Sequence, residues 1–314
     1  MIPRDRKGTQ VPAVLLEPDG VGRKEREEIL GWIAGARRDK RPTFRAYKAR
    51  EVVTALEVLF ERKCAYCESV YVATQPIDVE HWRPKAEVEV VGPTGSTMRH
   101  GYEWLAMEWH NLLPSCIDCN RARGQVVLPG DSHDKVVKQT SGKANQFPVA
   151  DEQQRLASPT DDVTRERPLL IDPCELQFDG TSYFEFRDNG VVGPRDAASS
   201  RLPAAQTRRA RALDSIRVYA LNRKALVEAR RERLLLVQAR CELIRSLIAI
   251  TERVRAVAAT ATTEGPLLRE VAGDLHVLFE KELASLAGLA ASHQPYSLMV
   301  QQFVDAFRDE LLAK

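Results

Sequence analysis

A chain of 314 residues with 44% hydrophobic side chains is long enough for about two domains and carries enough apolar material for ordinary cores. No run of 18 apolar residues occurs, and no apolar segment follows the charged start Met1 to Lys7, which argues against a membrane span and a signal peptide. The expectation is a soluble, cytoplasmic protein with no membrane partner. The formal net charge of +2 conceals a division: Arg195 to Arg255 carries 15 Lys/Arg against 6 Asp/Glu, a net +9 that leaves −7 for the rest. Such a basic block suggests a polyanionic partner.

In chain order, residues 1–20 hold Pro3, Pro12 and Pro18 and read as an extended arm. Helices are predicted at about 23–37 and 49–62, where Val52, Val53, Leu56, Leu59 and Phe60 recur at helical spacing and lead to Cys64. Ile77, Val79, Val88 and Val90 alternate with polar residues, which predicts short extended segments around Glu80 and His81, then a turn at Gly92 to Ser96. Tyr102 to Trp109 is aromatic and should pack, and a short helix is expected after Asn120. The polar stretch Leu128 to Thr164 reads as a long loop. Pro168 to Asp172 reads as a buried strand, and Tyr183 to Arg187 as a strand entering a hairpin through Asn189-Gly190. The remainder is predicted helical: 204–219; 223–259, with Asn222 as N-cap; 266–290; and 297–313, with Ser297 as cap and Val300, Val304, Phe307 and Leu311 on one face.

Four of the six cysteines form two Cys-x2-Cys pairs, Cys64/Cys67 and Cys116/Cys119, while Cys174 and Cys241 stand alone. In a reducing compartment such pairs are metal ligands rather than disulfides. Four soft sulfurs in two short-range pairs suit tetrahedral Zn²⁺ in a closed structural site. The 48 residues between the pairs exceed ribbon spacing, so the zinc should pin together the ends of a larger excursion.

That excursion contains Glu80 and His81. Hydrolysing a phosphodiester needs an activated water, a cation beside the phosphate and stabilisation of the leaving oxygen. His81 suits the general base because its unperturbed pKa lies near neutrality. Glu80 neighbours it in an extended segment whose successive side chains face opposite ways, so a strand end or turn must bring both to one site. Asp78 rivals Glu80 as a cation ligand, and His110 is a further candidate beside Asn111. Arg83, Lys85, Arg121 and Arg123 flank the region and offer contacts to a phosphate backbone.

The order Cys-x2-Cys, Glu-His, Asn-Leu-Leu-x-x-Cys-x2-Cys-Asn-x-x-Arg resembles HNH endonucleases of the ββα-metal class with a zinc knuckle. It is most similar to PtuB-like nucleases, the HNH subunits of Septu-type and some retron anti-phage systems. Asp78-Val79-Glu80-His81-Trp82-Arg83-Pro84-Lys85, Tyr102-Glu103-Trp104-Leu105-Ala106 running into Trp109 to Leu113, and Leu170-Ile171-Asp172-Pro173 carry this closer likeness, and Leu221-Asn222-Arg223 also fits. The resemblance covers about Ile2 to Arg230. It implies His81 as general base, Glu80 and Asn120 as ligands of a catalytic Mg²⁺ or Mn²⁺, and Asn111 fixing the loop that places His81. It further implies DNA as substrate and an ATPase subunit as partner. No Gly-x4-Gly-Lys-Ser/Thr loop is present, so ATP dependence would reside in that partner.

The expected fold class is α+β: a ββα-metal (HNH, His-Me finger) core with a four-cysteine zinc knuckle, a small β-containing region and a C-terminal helical domain. The expected divisions are 1–62, an arm and helices; 63–130, the nuclease core; 131–200, a linker and short β-rich region; and 201–314, a helical domain, basic to about 255 and offering an assembly surface. Two other functions fit the same residues: a non-cleaving zinc-dependent nucleic-acid-binding adaptor, and an RNA-directed HNH toxin.

Overall fold

The computed structural model describes all residues except 38–39, 72–74, 93, 129–134, 196–202 and 314, and the side chains of 203–206 are likewise outside the description. Expectations falling on those residues, including Pro93 in the turn and the start of the Leu128–Thr164 loop, lie outside it.

The first sixty residues form α1 (Ala13–Leu16), α2 (Val21–Ala34) and α3 (Arg50–Leu59). α3 buries Val52, Leu56 and Leu59, one stripe of a 3.6-residue repeat. The N-terminal arm is docked: Arg6 donates to the carbonyls of Trp109 (3.0 Å) and Leu112 (2.7 Å) and lies 4.9 Å from the Trp109 ring centroid. After α3 the chain reverses through Glu61 and Arg62, both at positive φ, and reaches Cys64.

Among the described residues, four separate two-stranded antiparallel sheets follow. β1 (Asp78–His81) pairs with β4 (Leu112–Ser115), placing Glu80 opposite Leu113 and His81 opposite Leu112. Between them lies the hairpin of β2 (Glu87–Gly92) and β3 (Gly95–His100). α4 (Ile117–Asn120) follows β4 directly. The short helix expected after Asn120 therefore lies before it. The reason is the second cysteine pair: the N–H groups of Cys119 and Asn120 both return to the carbonyl of Cys116, so the knuckle is itself the helical turn.

Beyond it, β5 (Arg123–Val127) pairs with β6 (Val137–Ser141), so the stretch expected to be a loop contributes a strand. The strand expected at Pro168 to Asp172 is reduced to one bridge between Val149 and Pro168. A proline without an N–H cannot continue a ladder. The hairpin predicted at Asn189-Gly190 forms between β7 (Phe184–Phe186) and β8 (Val192–Pro194), preceded by α5 (Gly180–Tyr183), with Gly190 at φ 84°.

The helices at the end are α6 (Pro203–Val218), α7 (Lys224–Thr260), α8 (Gly265–Leu289) and α9 (Ser297–Leu312). Neither predicted cap acts as one. Asn222 spends its amide on the backbone of Val192, accepting from its N–H (2.9 Å) and donating to its carbonyl (2.8 Å). A side-chain amide offers the same donor and acceptor as a strand neighbour, and both groups are buried there. Ser297 donates to the Ser292 carbonyl at 3.3 Å, and Tyr296, in left-handed conformation, holds the N-cap position. Val300 and Phe307 of the predicted α9 face are buried, Val304 and Leu311 half-buried.

The chain divides into two units, Met1–Arg187 with Val191–Val227, and Asp188–Gly190 with Glu228–Lys314. In the second, α7 buries Leu234, Val237, Ile244 and Leu247, and Arg245 pairs with Glu310 at 2.6 Å. No described helix is long and apolar enough to cross a membrane.

Candidate metal centre and adjoining cleft

The four cysteines converge. Their sulfur atoms are buried and all lie within 4.8 Å of one another, with Cys67 and Cys116 3.8 Å apart. Metal–sulfur bonds of about 2.3 Å in a tetrahedron set the sulfurs about 3.8 Å apart, so this group could hold one zinc ion. Each pair is shaped by its own backbone. The first closes where Glu68, at φ 62°, returns its N–H to Cys64 and the N–H of Cys64 reaches Ser69. The second is the turn of α4. The N–H of Ala65 donates to Pro114 at 2.9 Å and joins the two.

Asn120, adjoining Cys119, opens onto a cleft of about 620 Å³ whose lining includes Tyr47, Asp78, Glu80, His81, Lys85, Arg121 and Lys143. β1 stops at His81 and the chain bends through Trp82 and Arg83, so the consecutive Glu80 and His81 line one cleft rather than opposite sheet faces. Both are buried.

His81 Nε2 lies 3.0 Å from the carbonyl of Ala106. A carbonyl only accepts, so Nε2 carries the hydrogen and Nδ1 is the nitrogen with a lone pair. Nδ1 faces Lys85 Nζ at 3.4 Å, and Tyr47 packs edge-on against the ring. Burial first, and the charge of Lys85 second, hold the imidazole well below its ordinary pKa, so at neutral pH the ring is uncharged.

Lys143 Nζ lies 2.5 Å from Glu80 Oε1 and donates to the carbonyl of His81 at 2.9 Å. Burial raises the Glu80 carboxyl and lowers the Lys143 ammonium, and the ion pair opposes both shifts. Asp78 accepts two hydrogen bonds from Arg121, at 2.8 and 2.6 Å, and one from Asn120 Nδ2 at 2.9 Å. Burial acts to raise the Asp78 carboxyl, but these donors outweigh it and hold it below its usual range. With Nδ2 committed to Asp78, Asn120 retains its side-chain oxygen as an acceptor. The donor set of this cleft, Glu80 and Asn120 oxygens, fits a hard divalent cation.

Asn111 stands behind the cleft. Its Oδ1 accepts from the N–H of Arg83 (2.7 Å), its Nδ2 donates to the carbonyls of Arg83 (3.0 Å) and Leu105 (3.2 Å), and its own carbonyl accepts from Trp82 (2.9 Å). These bonds hold both the bend after His81 and Leu105, the neighbour of the carbonyl that His81 uses.

Of the four flanking cations, only Lys85 and Arg121 line the cleft. Arg83 donates to Glu166 at 2.7 Å and lies over the Trp82 ring, and Arg123 pairs with Asp118 at 2.9 Å. His110 is exposed. Sequence reasoning does not single out Lys143, Tyr47 or Arg223 as members of these sites. No motif marks Lys143; in the structure it follows Gly142, at φ 114°, where a Cβ would stand 2.0 Å from the Arg121 carbonyl. Only glycine lets the chain pass so close and deliver Lys143 to Glu80. Arg223 brings Nη1 to 3.5 Å from Cys119 Sγ and Nη2 to 3.5 and 3.8 Å from those of Cys67 and Cys116.

The chain is 31% identical over 316 aligned residues, 96% of its length and 91% of the relative's, to Septu protein PtuB of Bacillus mycoides (strain KBAB4). Over 133 residues, 42% of the chain and 15% of the relative, it is 26% identical to Septu protein PtuA of the same organism. No protein-family model matches, and no solved structure matches.

Proposed function

The chain belongs to the Septu PtuB family, and from that premise we propose that it is a metal-dependent HNH endonuclease subunit that hydrolyses DNA in anti-phage defence, alongside an ATPase partner. The strongest support for this reading is the placement of His81: Nε2 lies 3.0 Å from the carbonyl of Ala106, which leaves Nδ1 as the basic nitrogen in a cleft shared with the Glu80 carboxylate and the Asn120 side-chain amide. The antiparallel pair β1/β4 followed at once by α4 has the order of a ββα-metal core and supports the same reading.

In this mechanism His81 Nδ1 takes the proton from the attacking water. Ala106 fixes the ring's tautomer, and Asn111 fixes the bend that sets its position. Glu80 and Asn120 would hold the Mg²⁺ or Mn²⁺, which supplies charge neutralisation at the phosphate and leaving oxygen. Lys85 and Arg121 line the approach and attract the phosphate backbone. Lys143 holds Glu80 by one carboxylate oxygen. The four cysteines would hold zinc, and Cys119, the neighbour of Asn120, would tie that site to the cleft.

The test offers supercoiled duplex DNA and single-stranded RNA to the full chain with Mg²⁺ or Mn²⁺, with and without its ATPase partner. The expected result is DNA cleavage that stops when the divalent ion is chelated. DNA bound but never cut would replace this reading with the adaptor, and cutting of RNA alone would replace it with the toxin.

A further inference from the structure

Arg223 is 7% exposed, and its guanidinium reaches three of the four cysteine sulfurs. Those sulfurs belong to both pairs, Cys67 to the first and Cys116 and Cys119 to the second. Its remaining contacts are the carbonyl of Ala220 at 3.3 Å and Asp118 at 3.8 Å.

Four thiolates around Zn²⁺ carry a net charge of −2, and the centre is buried. Uncompensated charge in such surroundings is costly, and a paired cation offsets it. A planar fork with several N–H donors can address sulfurs of both pairs at once, which a single ammonium on a flexible stem cannot. The backbone of Arg223 is held independently of its side chain. It bridges to Val127, its N–H donates to Ala220 at 3.0 Å, and its carbonyl accepts from Leu226 and Val227 in the first turn of α7.

We propose that Arg223 is the counter-cation of the four-cysteine centre, a positioning residue that clamps both cysteine pairs onto the metal from the start of α7. The inference rests on the reading of the four cysteines as a zinc site. Through Cys119 it bears on Asn120 in the cleft.

The test measures zinc release from the full, zinc-loaded chain to a coloured chelator for wild type, Arg223→Met and Arg223→Lys, together with thermal unfolding with and without zinc. Arg223→Met keeps the bulk and removes the charge, and should release zinc at least about tenfold faster than wild type. Arg223→Lys, keeping charge without the fork, should fall between. The rise in unfolding temperature on adding zinc should shrink in the same order, whereas a purely packing role would lower the apo and zinc-loaded proteins equally. Release from Arg223→Met within twofold of wild type would overturn the assignment. If that variant is insoluble, wild-type release from Arg223→Lys overturns it instead. Absence of zinc from wild type would sink the metal-centre reading itself, a separate outcome.

Discussion

His81 depends on the groups that hold it at least as much as on its own chemistry. Burial and the ammonium of Lys85 both disfavour the imidazolium, so the neutral ring persists below pH 6.5, the ordinary histidine value. The acid limb of the cleavage rate should therefore fall below that pH. Replacing Lys85 by Met removes a positive charge 3.4 Å from Nδ1 and lets the ring protonate at higher pH. The kcat profile of Lys85→Met should shift its acid limb upward, while burial still keeps it under pH 6.5. An unmoved or lowered limb would show that His81 is not the group titrating. Lys143 shows what residue-level reading of the sequence could not supply. It lies 63 positions from Glu80, in a polar stretch with no motif, and only the fold brings the two within 2.5 Å.

At the scale of elements, legibility followed the range of the signal. Helices announce themselves through apolar residues three and four apart, as in α3 and α9, and α2, α3, α6, α7, α8 and α9 all lie close to the stretches predicted helical. The strands are three to six residues long and pair in twos, so each carries only one or two alternations. β3 is exposed at every position, leaving no buried face to mark it. The caps failed for a different reason. Asn222 has the right chemistry to start a helix, but Val192 offers its N–H and carbonyl from a strand thirty residues away, and the tertiary demand prevails. The cysteine pairs were legible because ligand spacing is local, whereas Arg223 on the sulfurs was visible only as part of a similar stretch, without a role.

At the scale of the whole molecule, part of the basic block is paired within the fold. Arg211 is bidentate to Glu175, Arg217 pairs with Asp214, Arg223 meets the sulfurs, Arg240 pairs with Glu282 and Arg245 with Glu310. These pairings offset part of the block's charge, and Lys85 and Arg121, which line the cleft, carry the proposal of a phosphate contact. All four tryptophans, Trp32, Trp82, Trp104 and Trp109, lie in the first unit with Cys64, Cys67, Cys116 and Cys119. The second is built mainly of α7, α8 and α9. Stripping the zinc should shift tryptophan emission to the red while much of the far-UV helical signal survives, because structural zinc contributes directly to the folding of the unit that holds it. Simultaneous loss of both signals, or an unchanged emission, would contradict that division.

Hydrolysis by His81, in a cleft next to the proposed zinc site, is decided by plasmid cleavage with wild type and His81→Ala at matched zinc content, under identical divalent ion and partner. The two proteins should hold equal zinc, and the variant should cut at least about a hundredfold more slowly. Equal cutting by both would rule out His81 as the base.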